Sequence, residues 1–265
     1  MDPSLTPGRV YFERDAADPR IGRVTLANPG RMNAITRAMW RELRAIFEGL
    51  AERERGLRVV VVRGAGEAFA AGADLAEFPD FHFDPARARA FHETEPAPAL
   101  AALRECELPL LAQIAGPCVG GGLEIAACCD LRIAAEGSRF GAPIARLGFP
   151  MAPDELAIVL AAFGRGVVAE LLFEARLFDA GEALRRGLVE RVVPAAALDA
   201  EVAATAARIA ALPPLAARIN KQTLHQLARG GPSADERAAH YRYAASAEHR
   251  DGVLAFLDRS QRYPR

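Results

Sequence analysis

Lysine is almost absent from this sequence of 265 residues. Of its 33 basic side chains, Lys221 is the only lysine, and the other 32 (33 − 1) are arginines. No charge of one sign dominates either, because 34 acidic side chains leave a formal net charge of −1 and the arginines are spread along the whole chain. This balance argues against a duplex nucleic-acid binder, which needs clustered positive charge. The same charge balance is compatible with a small polyanionic ligand, which needs only a few local cations.

Cysteine is also scarce, and its spacing is uninformative for metals. The four cysteines are Cys106, Cys118, Cys128 and Cys129, with no CxxC pair among them. Cys128 and Cys129 lie in an apolar run, which predicts buried free thiols in a reducing compartment. Because no His/Cys pair has zinc-finger or HExxH spacing, we expect no metal site.

Long hydrophobic runs are missing as well. No segment reaches the ~18 uninterrupted apolar residues of a membrane helix. Residues 1–15 contain no apolar core of a secretory signal. We therefore expect a cytoplasmic protein without membrane attachment. A chain of 265 residues that is 51% hydrophobic is long enough to bury a core without disulfides or metals.

The pattern of apolar residues predicts an α/β core followed by a helical region. Alternating and β-branched runs predict strands at 10–12, 21–26, 57–62, 108–115, 130–135 and 189–193. Helical spacing predicts helices at 37–55, 85–105 and 123–129, and from residue 153 onward the pattern is mostly helical. We place the α/β core at 1–195 and the helical C-terminal region at 196–265.

The glycine-rich segment 116–124 (GPCVGGGLE) follows a predicted strand and opens a predicted helix. It is not a Walker A loop, since Gly122 and Leu123 stand where Lys and Ser/Thr are required, and it lacks the spacing of a dinucleotide fingerprint. No GxSxG elbow occurs in the chain. Glycines at a helix N-terminus allow a backbone N–H to approach an oxyanion, although they also permit close helix–strand packing. A second such loop, 66–75 (GEAFAAGADL), follows another buried strand, so the two loops together predict two N–H groups on one carbonyl oxygen.

Several segments resemble the enoyl-CoA hydratase/isomerase, or crotonase, superfamily. They are NPGRMNAI (28–35), GEAFAAGADLAEF (66–78), the stretch from AQIAGP to RFGAP (112–143), FDAGEALRRGLVERVVP (178–194) and EHRDGVLAFLDR (248–259). The resemblance covers nearly the whole chain. It implies an α/β fold, a spiral of ββα units with a helical C-terminal trimerisation region, and a homotrimer or dimer of trimers.

The resemblance also implies a ligand, an acyl-CoA thioester whose carbonyl oxygen lies between the backbone N–H groups of Ala73 and Gly121. Coenzyme A would be part of the substrate, and no separate cofactor is implied. Contacts with coenzyme A are expected at Arg31, Ala71, Asp74, Leu75 and Lys221, with the backbone near Ala71 at the adenine and Arg31 at a phosphate. Lys221, Arg259 and Arg262 are candidate phosphate contacts from the helical tail of the same or a neighbouring subunit.

The acid–base residues depart from the family pattern. Hydratases of the family commonly use two glutamates, of which the first corresponds to Glu124, whereas Ile144 stands at the second position. The GAGGTQ stretch that usually follows is replaced by MAPDEL (151–156). Asp154 and Glu155 are candidates to substitute, but we favour their interpretation as acids in the first turn of a helix that begins at Pro153.

Three hypotheses follow from this departure. In the first, Glu124 is the sole matched acid/base for enoyl-CoA hydration or double-bond isomerisation in fatty-acid or acyl-CoA metabolism, which is the function we predict. In the second, the site performs another enolate reaction, such as decarboxylation or C–C cleavage. In the third, the protein binds acyl-CoA without chemistry. His82 and His92 are predicted to be exposed helix histidines rather than titrating site groups.

Overall fold

A computed structural model describes residues 8–262, with side chains to residue 258. Its centre is a six-stranded sheet in the order β1-β2-β3-β4-β6-β9. The strands are β1 (Arg9–Arg14), β2 (Ile21–Ala27), β3 (Val59–Gly64), β4 (Leu110–Ile114), β6 (Leu131–Ala135) and β9 (Arg191–Val193). β1 pairs antiparallel with β2, and every other pairing in this sheet is parallel. All six predicted strands are therefore present, with bounds shifted by at most two residues.

Both faces of the sheet are buried, as the continuous valine run of β3 predicts. Val60 and Val62 belong to the main core, whereas Val59 and Val61 face a second, smaller core on the opposite side. Successive side chains of a strand point to opposite faces, so a strand that is covered on both sides must be apolar throughout.

Two predicted helices of the first half are each divided in two. The helix expected at 37–55 begins after Thr36, whose side chain accepts a hydrogen bond from the Met39 N–H, and forms α1 (Arg37–Phe47). Gly49, at φ +66°, then separates it from α2 (Leu50–Arg53). The helix expected at 85–105 divides into α3 (Pro85–Thr94) and α4 (Pro96–Glu105), because Pro96 has no N–H for a continuing helix and begins a new first turn.

Sequence reasoning missed a small second sheet. It contains β5 (Pro117–Val119), β7 (Arg139–Gly141) and β8 (Phe178–Asp179), in that order. β5 pairs parallel with β7, and β7 pairs antiparallel with β8. Helix α5 (Gly121–Cys128) begins directly after β5, so this sheet fixes where the glycine-rich segment ends and the helix begins.

The C-terminal half is mostly helical, as predicted. Its helices are α6 (Pro153–Phe163), α7 (Arg165–Phe173), α8 (Ala180–Arg186), α9 (Leu198–Ala211), α10 (Pro214–Ala228), α11 (Ala234–His240) and α12 (Ala247–Arg262). Helix α9 packs Val202, Ala206 and Ala210 against the outer face of the large sheet. The division of the chain at residue 195 stays a prediction.

The four cysteines are free and buried, as predicted. Burial raises the pKa of the Cys129 thiol to about 12. Among residues 8–262, no single helix is long and apolar enough to cross a membrane. One pair of helical segments, Ala195–Ala211 and Pro214–Ala228, meets that requirement only when joined, and the two are bent by 104° at their break.

Candidate active site

Two loops leave the carboxyl ends of neighbouring parallel strands, β3 and β4, and therefore lie side by side. The first loop, which follows β3, is anchored by the side chain of Asn33, which is 3% exposed. Its Nδ2 donates to the carbonyl oxygens of Ala65 (2.9 Å) and Ala68 (2.7 Å), and its Oδ1 accepts from the Asn28 N–H (3.0 Å). A single buried amide thus fixes the backbone that leads to Ala73.

Ala73 is fixed from both sides by Ile35. The Ile35 N–H donates to the Gly72 carbonyl (2.7 Å), and the Asp74 N–H donates to the Ile35 carbonyl (2.9 Å). This parallel bridge uses the groups that flank Ala73 and directs the Ala73 N–H the other way. Within the part of the chain that the structure describes, this N–H has no acceptor.

The second loop brings Gly121 to the same place. Gly120 has φ +50° and lies just before helix α5, and the Gly121 N–H is the first of the helix, where no intrahelical acceptor exists. Ala70 joins the two loops, because its N–H donates to the Pro117 carbonyl (2.9 Å) and its carbonyl accepts from the Val119 N–H (3.0 Å). Neither backbone nor side-chain acceptors reach the Gly121 N–H among residues 8–262.

Ala73 and Gly121 line one cavity of about 210 Å³. Its wall is mostly apolar and comes from both loops, α1, α3, and the segment 143–151. The principal apolar side chains are Trp40, Phe78, Phe91, Ile144, Leu147, Phe149 and Met151. Among the residues whose side chains are described, only Glu124, Glu155 and His92 bring ionisable groups to this wall. The structure therefore brings together both predicted amide donors and the matched glutamate in one apolar pocket.

Glu124 extends from the first turn of α5 and is 6% exposed. Its carboxyl accepts no hydrogen bond from any group that the structure describes. Burial raises the pKa of this carboxyl well above its usual range, and the negative charge of Glu155 raises it further. Both effects favour the protonated acid, which can donate a proton to a bound ligand.

Glu155 is an acid in the first turn of a helix that begins at Pro153, as the sequence analysis favours, but its side chain is buried. Helix α6 does begin at Pro153, and Asp154 is exposed there as predicted, but Glu155 is 4% exposed and lies in the cavity wall. Its Oε1 is 2.7 Å from Nδ1 of His92. No N–H of the first turn donates to it within residues 8–262. Helix α6 packs against α5, which turns this side chain inward and not toward solvent.

The prediction that His82 and His92 are exposed is wrong. His92 is part of α3 and bonds to Glu155, with its side chain 21% exposed. The His82 ring stacks on Phe78 at a centroid distance of 4.3 Å, and its Nε2 is buried without a partner among the described residues. Burial, then the neighbouring His92, lowers the pKa of His82, which favours the neutral ring.

The predicted coenzyme A contacts fall into two groups. Ala71 and Leu75 line the cavity, and Leu75 is 47% exposed at its mouth. Arg31 lies beside them, but its Nη1 is 2.8 Å from Oδ1 of Asp74, so these two residues form an ion pair. Asp74 also accepts from the Ala76 N–H and begins the 3-10 helix Leu75–Asp80. Arg31 is not part of the cavity wall, and it keeps 43% of its side chain exposed beside Asp74.

The structure places Lys221 outside this group, which corrects its prediction as a phosphate contact. Its side chain is 5% exposed, and Nζ donates to the Leu108 carbonyl (2.8 Å) and lies 2.8 Å from Oδ2 of Asp130. The ammonium is thus used inside the subunit, where it joins α10 to the start of β4. The other tail candidates, Arg259 and Arg262, lie outside the residues whose side chains are described.

Residues 8–262 contain no cluster of three or more His, Cys, Asp or Glu side chains that could hold a metal ion. Two contributions to the site escaped the sequence analysis. Asn33 is visible only as part of the NPGRMNAI motif, without its role in anchoring the loop. The pairing of His92 with Glu155 joins residues 63 positions apart, and no local pattern indicates it.

Known proteins resemble this chain along nearly its whole length. The sequence pattern of the family described as enoyl-CoA hydratase/isomerase matches residues 17–263. A probable enoyl-CoA hydratase, echA8, of Mycobacterium bovis is 33% identical over 96% of this chain and 97% of its own. The short-chain-enoyl-CoA hydratase of Clostridium acetobutylicum is 30% identical over 82% and 81%.

Solved structures agree with this comparison. An enoyl-CoA hydratase/carnithine racemase from Magnetospirillum magneticum has a TM-score of 0.90 and 41% sequence identity. The match covers 96% of this chain and 94% of that protein. The α/β architecture predicted from the motifs is therefore confirmed as the crotonase fold. On fold, on site-forming segments and on sequence pattern alike, this chain belongs to the enoyl-CoA hydratase/isomerase family of the crotonase superfamily.

Proposed function

We propose that this protein binds an enoyl-CoA thioester and adds water across its Cα=Cβ bond. One observation carries the proposal: two backbone N–H groups without acceptors, at Ala73 and Gly121, share an apolar cavity with the buried acid Glu124. A thioester carbonyl between the two N–H groups would gain negative charge as water attacks. Each well-placed donor to such an oxygen is worth ~3–4 kcal/mol in the transition state.

The surroundings of the two donors strengthen this effect. Gly121 begins helix α5, whose N-terminus carries partial positive charge. The wall of Trp40, Phe78 and Ile144 contains few competing polar groups, so the electrostatic attraction is weakly screened. The donors are held by the Ile35 bridge and the Ala70 hydrogen bonds, and they need no rearrangement when charge develops.

Glu124 supplies the proton that the reaction needs. Addition of water to an enoyl thioester produces an enolate, which becomes product when Cα takes a proton. A carboxyl whose pKa is raised by burial and by a nearby negative charge is protonated at the start and is suited to donate. Replacement by Gln keeps the shape of the side chain and removes this proton.

Cavity size favours a short acyl group. The cavity measures about 210 Å³, below the ~300–1,000 Å³ of typical ligand pockets. Coenzyme A would extend from the mouth, where Ala71 and Leu75 line the entrance and the exposed part of Arg31 offers a cation to a phosphate. Binding energy from this remote nucleotide would hold the short acyl group in register.

A second candidate, double-bond isomerisation, is favoured by Ile144. This side chain lies in the cavity wall where the resemblance places a second glutamate, and it cannot transfer a proton. Isomerisation removes a proton from one carbon and returns one to another, so a single carboxyl is sufficient. The same enolate would be held by Ala73 and Gly121.

We also propose that the protein is a homotrimer, or a dimer of trimers, and acts in the cytoplasm in acyl-CoA metabolism. Apolar side chains of the helical tail support the assembly, because Leu224, Leu227, Val253, Leu254 and Phe256 are all exposed in the single chain. Four buried free thiols suit a reducing compartment.

The experiment follows the absorbance of the conjugated thioester when purified protein is mixed with a short trans-2-enoyl-CoA. We expect the absorbance to fall as 3-hydroxyacyl-CoA forms, and a fall of ~10²–10⁴-fold in kcat for Glu124→Gln. Glu52→Gln, at an exposed position in α2, is the matched control and should keep wild-type turnover. Turnover with a trans-3-enoyl-CoA but none with the trans-2 compound would select isomerisation instead.

A further inference from the structure

We propose that Glu155, held by His92, is the group that takes a proton from the attacking water, in place of the glutamate absent at position 144. The inference rests on the proposed hydration. It assigns the second half of the acid–base chemistry to helix α6, although the family resemblance points to the segment before it.

The Glu155 carboxylate is buried in the cavity wall and is held there by a hydrogen bond. It is 4% exposed and lines the cavity that holds Glu124, Ala73 and Gly121. Oε1 bonds to His92 at 2.7 Å, whereas Oε2 has no partner among the described residues. A carboxylate with one oxygen anchored and the other unengaged is oriented for proton transfer.

His92 fits the role of a positioning residue. Because a carboxylate only accepts hydrogen bonds, we assign the proton on Nδ1 of His92 to the bond with Glu155. The His92 ring is held edge-on by Phe91 at a centroid distance of 5.0 Å and by His82 at 5.8 Å. These contacts limit the rotation of the ring and therefore of the carboxylate.

Glu155 and His92 also face solvent through a second opening. Both line a second groove of about 480 Å³, together with Arg89, Glu93 and Asp154. A proton taken up inside the cavity can leave by this side without passing the bound thioester. Ile144 contributes nothing to the groove and only apolar surface to the cavity.

Atoms and charges balance in the proposed step. The water oxygen forms a bond to Cβ, and Glu155 takes one water proton. The π electrons of Cα=Cβ move toward the thioester oxygen held by Ala73 and Gly121, and they return to Cα as Glu124 gives up its proton. The product is 3-hydroxyacyl-CoA, with Glu124 ionised and Glu155 protonated. Glu155 then releases a proton to solvent in the groove and Glu124 regains one, so only water and the enoyl-CoA are consumed.

The first test compares Glu155→Gln with Glu52→Gln in the full-length protein. Hydration of a short trans-2-enoyl-CoA is followed by absorbance, and binding of the saturated acyl-CoA by titration calorimetry. We expect kcat to fall ~10²–10⁴-fold in Glu155→Gln, with unchanged affinity for the saturated thioester. Glu52→Gln makes the same chemical change at an exposed position in α2, outside both the cavity and the groove, and should keep wild-type kcat.

The outcomes separate the two proposals. Wild-type kcat in Glu155→Gln overturns the role of Glu155 and leaves hydration standing. A wild-type protein that binds the saturated thioester but hydrates no enoyl-CoA overturns both. Loss of affinity in Glu155→Gln that accounts for the whole loss of turnover would mean that Glu155 only shapes the pocket, and would overturn its proton-transfer role.

The second test addresses His92. His92→Asn retains an N–H near the position of Nδ1, whereas His92→Phe retains the ring and loses the donor. If His92 positions Glu155, kcat should be higher in His92→Asn than in His92→Phe, with similar affinity for the saturated acyl-CoA. A higher kcat in His92→Phe would show that only the bulk of the ring matters, and would refute the positioning role.

Discussion

Replacement of Lys221 by Met should weaken the fold without changing ligand binding. Nζ of Lys221 lies between Oδ2 of Asp130 and the Leu108 carbonyl oxygen, at 2.8 Å from each. Asp130 also accepts from the Leu110 N–H at 2.7 Å. The ammonium therefore neutralises a carboxylate at the start of β4 and anchors helix α10 to it. Methionine has similar volume but removes the ammonium from both oxygens, so that Oδ2 of Asp130 keeps only the Leu110 N–H and loses its counter-charge.

The magnitude follows from how deeply each partner is buried. Removal of one partner of a fully buried ion pair costs ~3–5 kcal/mol. The Lys221 side chain is 5% exposed, but that of Asp130 is 29% exposed, so water can solvate the abandoned carboxylate in part. The buried Leu108 carbonyl adds the cost of an unsatisfied acceptor, ~1–3 kcal/mol. We expect a loss of about 2–4 kcal/mol, or about 5–15 °C in Tm for a chain of this size.

The assay is thermal unfolding at one protein concentration, with acyl-CoA affinity measured on the same samples. Gln222→Met, next along the helix and exposed, is the control and should stay within ~0.5 kcal/mol of wild type. Adding Asp130→Asn to Lys221→Met should cost less than the sum of the single changes, because the two groups interact. An unchanged Tm together with weaker acyl-CoA binding would refute the reasoning and restore Lys221 as a phosphate contact.

Three further predictions concern the cavity and the core. In Gly122→Ala the new Cβ would lie 2.6 Å from the Ala70 carbonyl oxygen, so the two loops must separate. We expect kcat to fall ~10²–10³-fold, as after loss of one oxyanion donor. Gly166→Ala is the control, because nothing lies within 4 Å of its new Cβ, and it should leave kcat unchanged. Because the folded-state pKa of Glu124 is raised above its usual 4.5, ionisation favours unfolding as the pH rises past that value. Glu124→Gln should then be more stable than wild type at neutral pH, and the difference in Tm should close as the pH falls to about 4. Finally, a thiol reagent should label no cysteine in the native protein and all four after unfolding, since burial raises the pKa of Cys129 to about 12 and the other three cysteines are also buried.

The large sheet could be predicted from sequence because its strands are long and apolar on both faces. The strand at 57–62 is the clearest case, since four consecutive valines suit burial by both cores. The small sheet could not be predicted, because strands of two or three residues are too short to show periodicity. Two helices are divided for local reasons: Gly49 has a left-handed conformation, and Pro96 begins a new helix. The helical spacing of apolar residues continues on both sides of each break and therefore does not indicate it.

The site residues likewise include some that the sequence predicts and others that only the packing of the fold brings together. Ala73, Gly121 and Glu124 are carried by short motifs with fixed spacing, and the structure places all three on one cavity. Glu155 and His92 come from α6 and α3, and their contact depends on how these helices pack around the acyl cavity. Lys221 is a residue that the sequence analysis assigns to the ligand although the fold uses it elsewhere. The sequence does not show that Asp130 is its ion-pair partner.

Trp40 gives the protein an optical property that follows directly from its position. It is the only tryptophan in the chain, it is 2% exposed, and it lines the cavity that holds Ala73, Gly121 and Glu124. All indole fluorescence of the protein therefore originates in the wall of this cavity. A ligand that enters the cavity replaces water near this ring and should change its emission without any label. The natural sequence thus carries its own spectroscopic reporter of occupancy, readable in a stopped-flow instrument while the first turnover takes place.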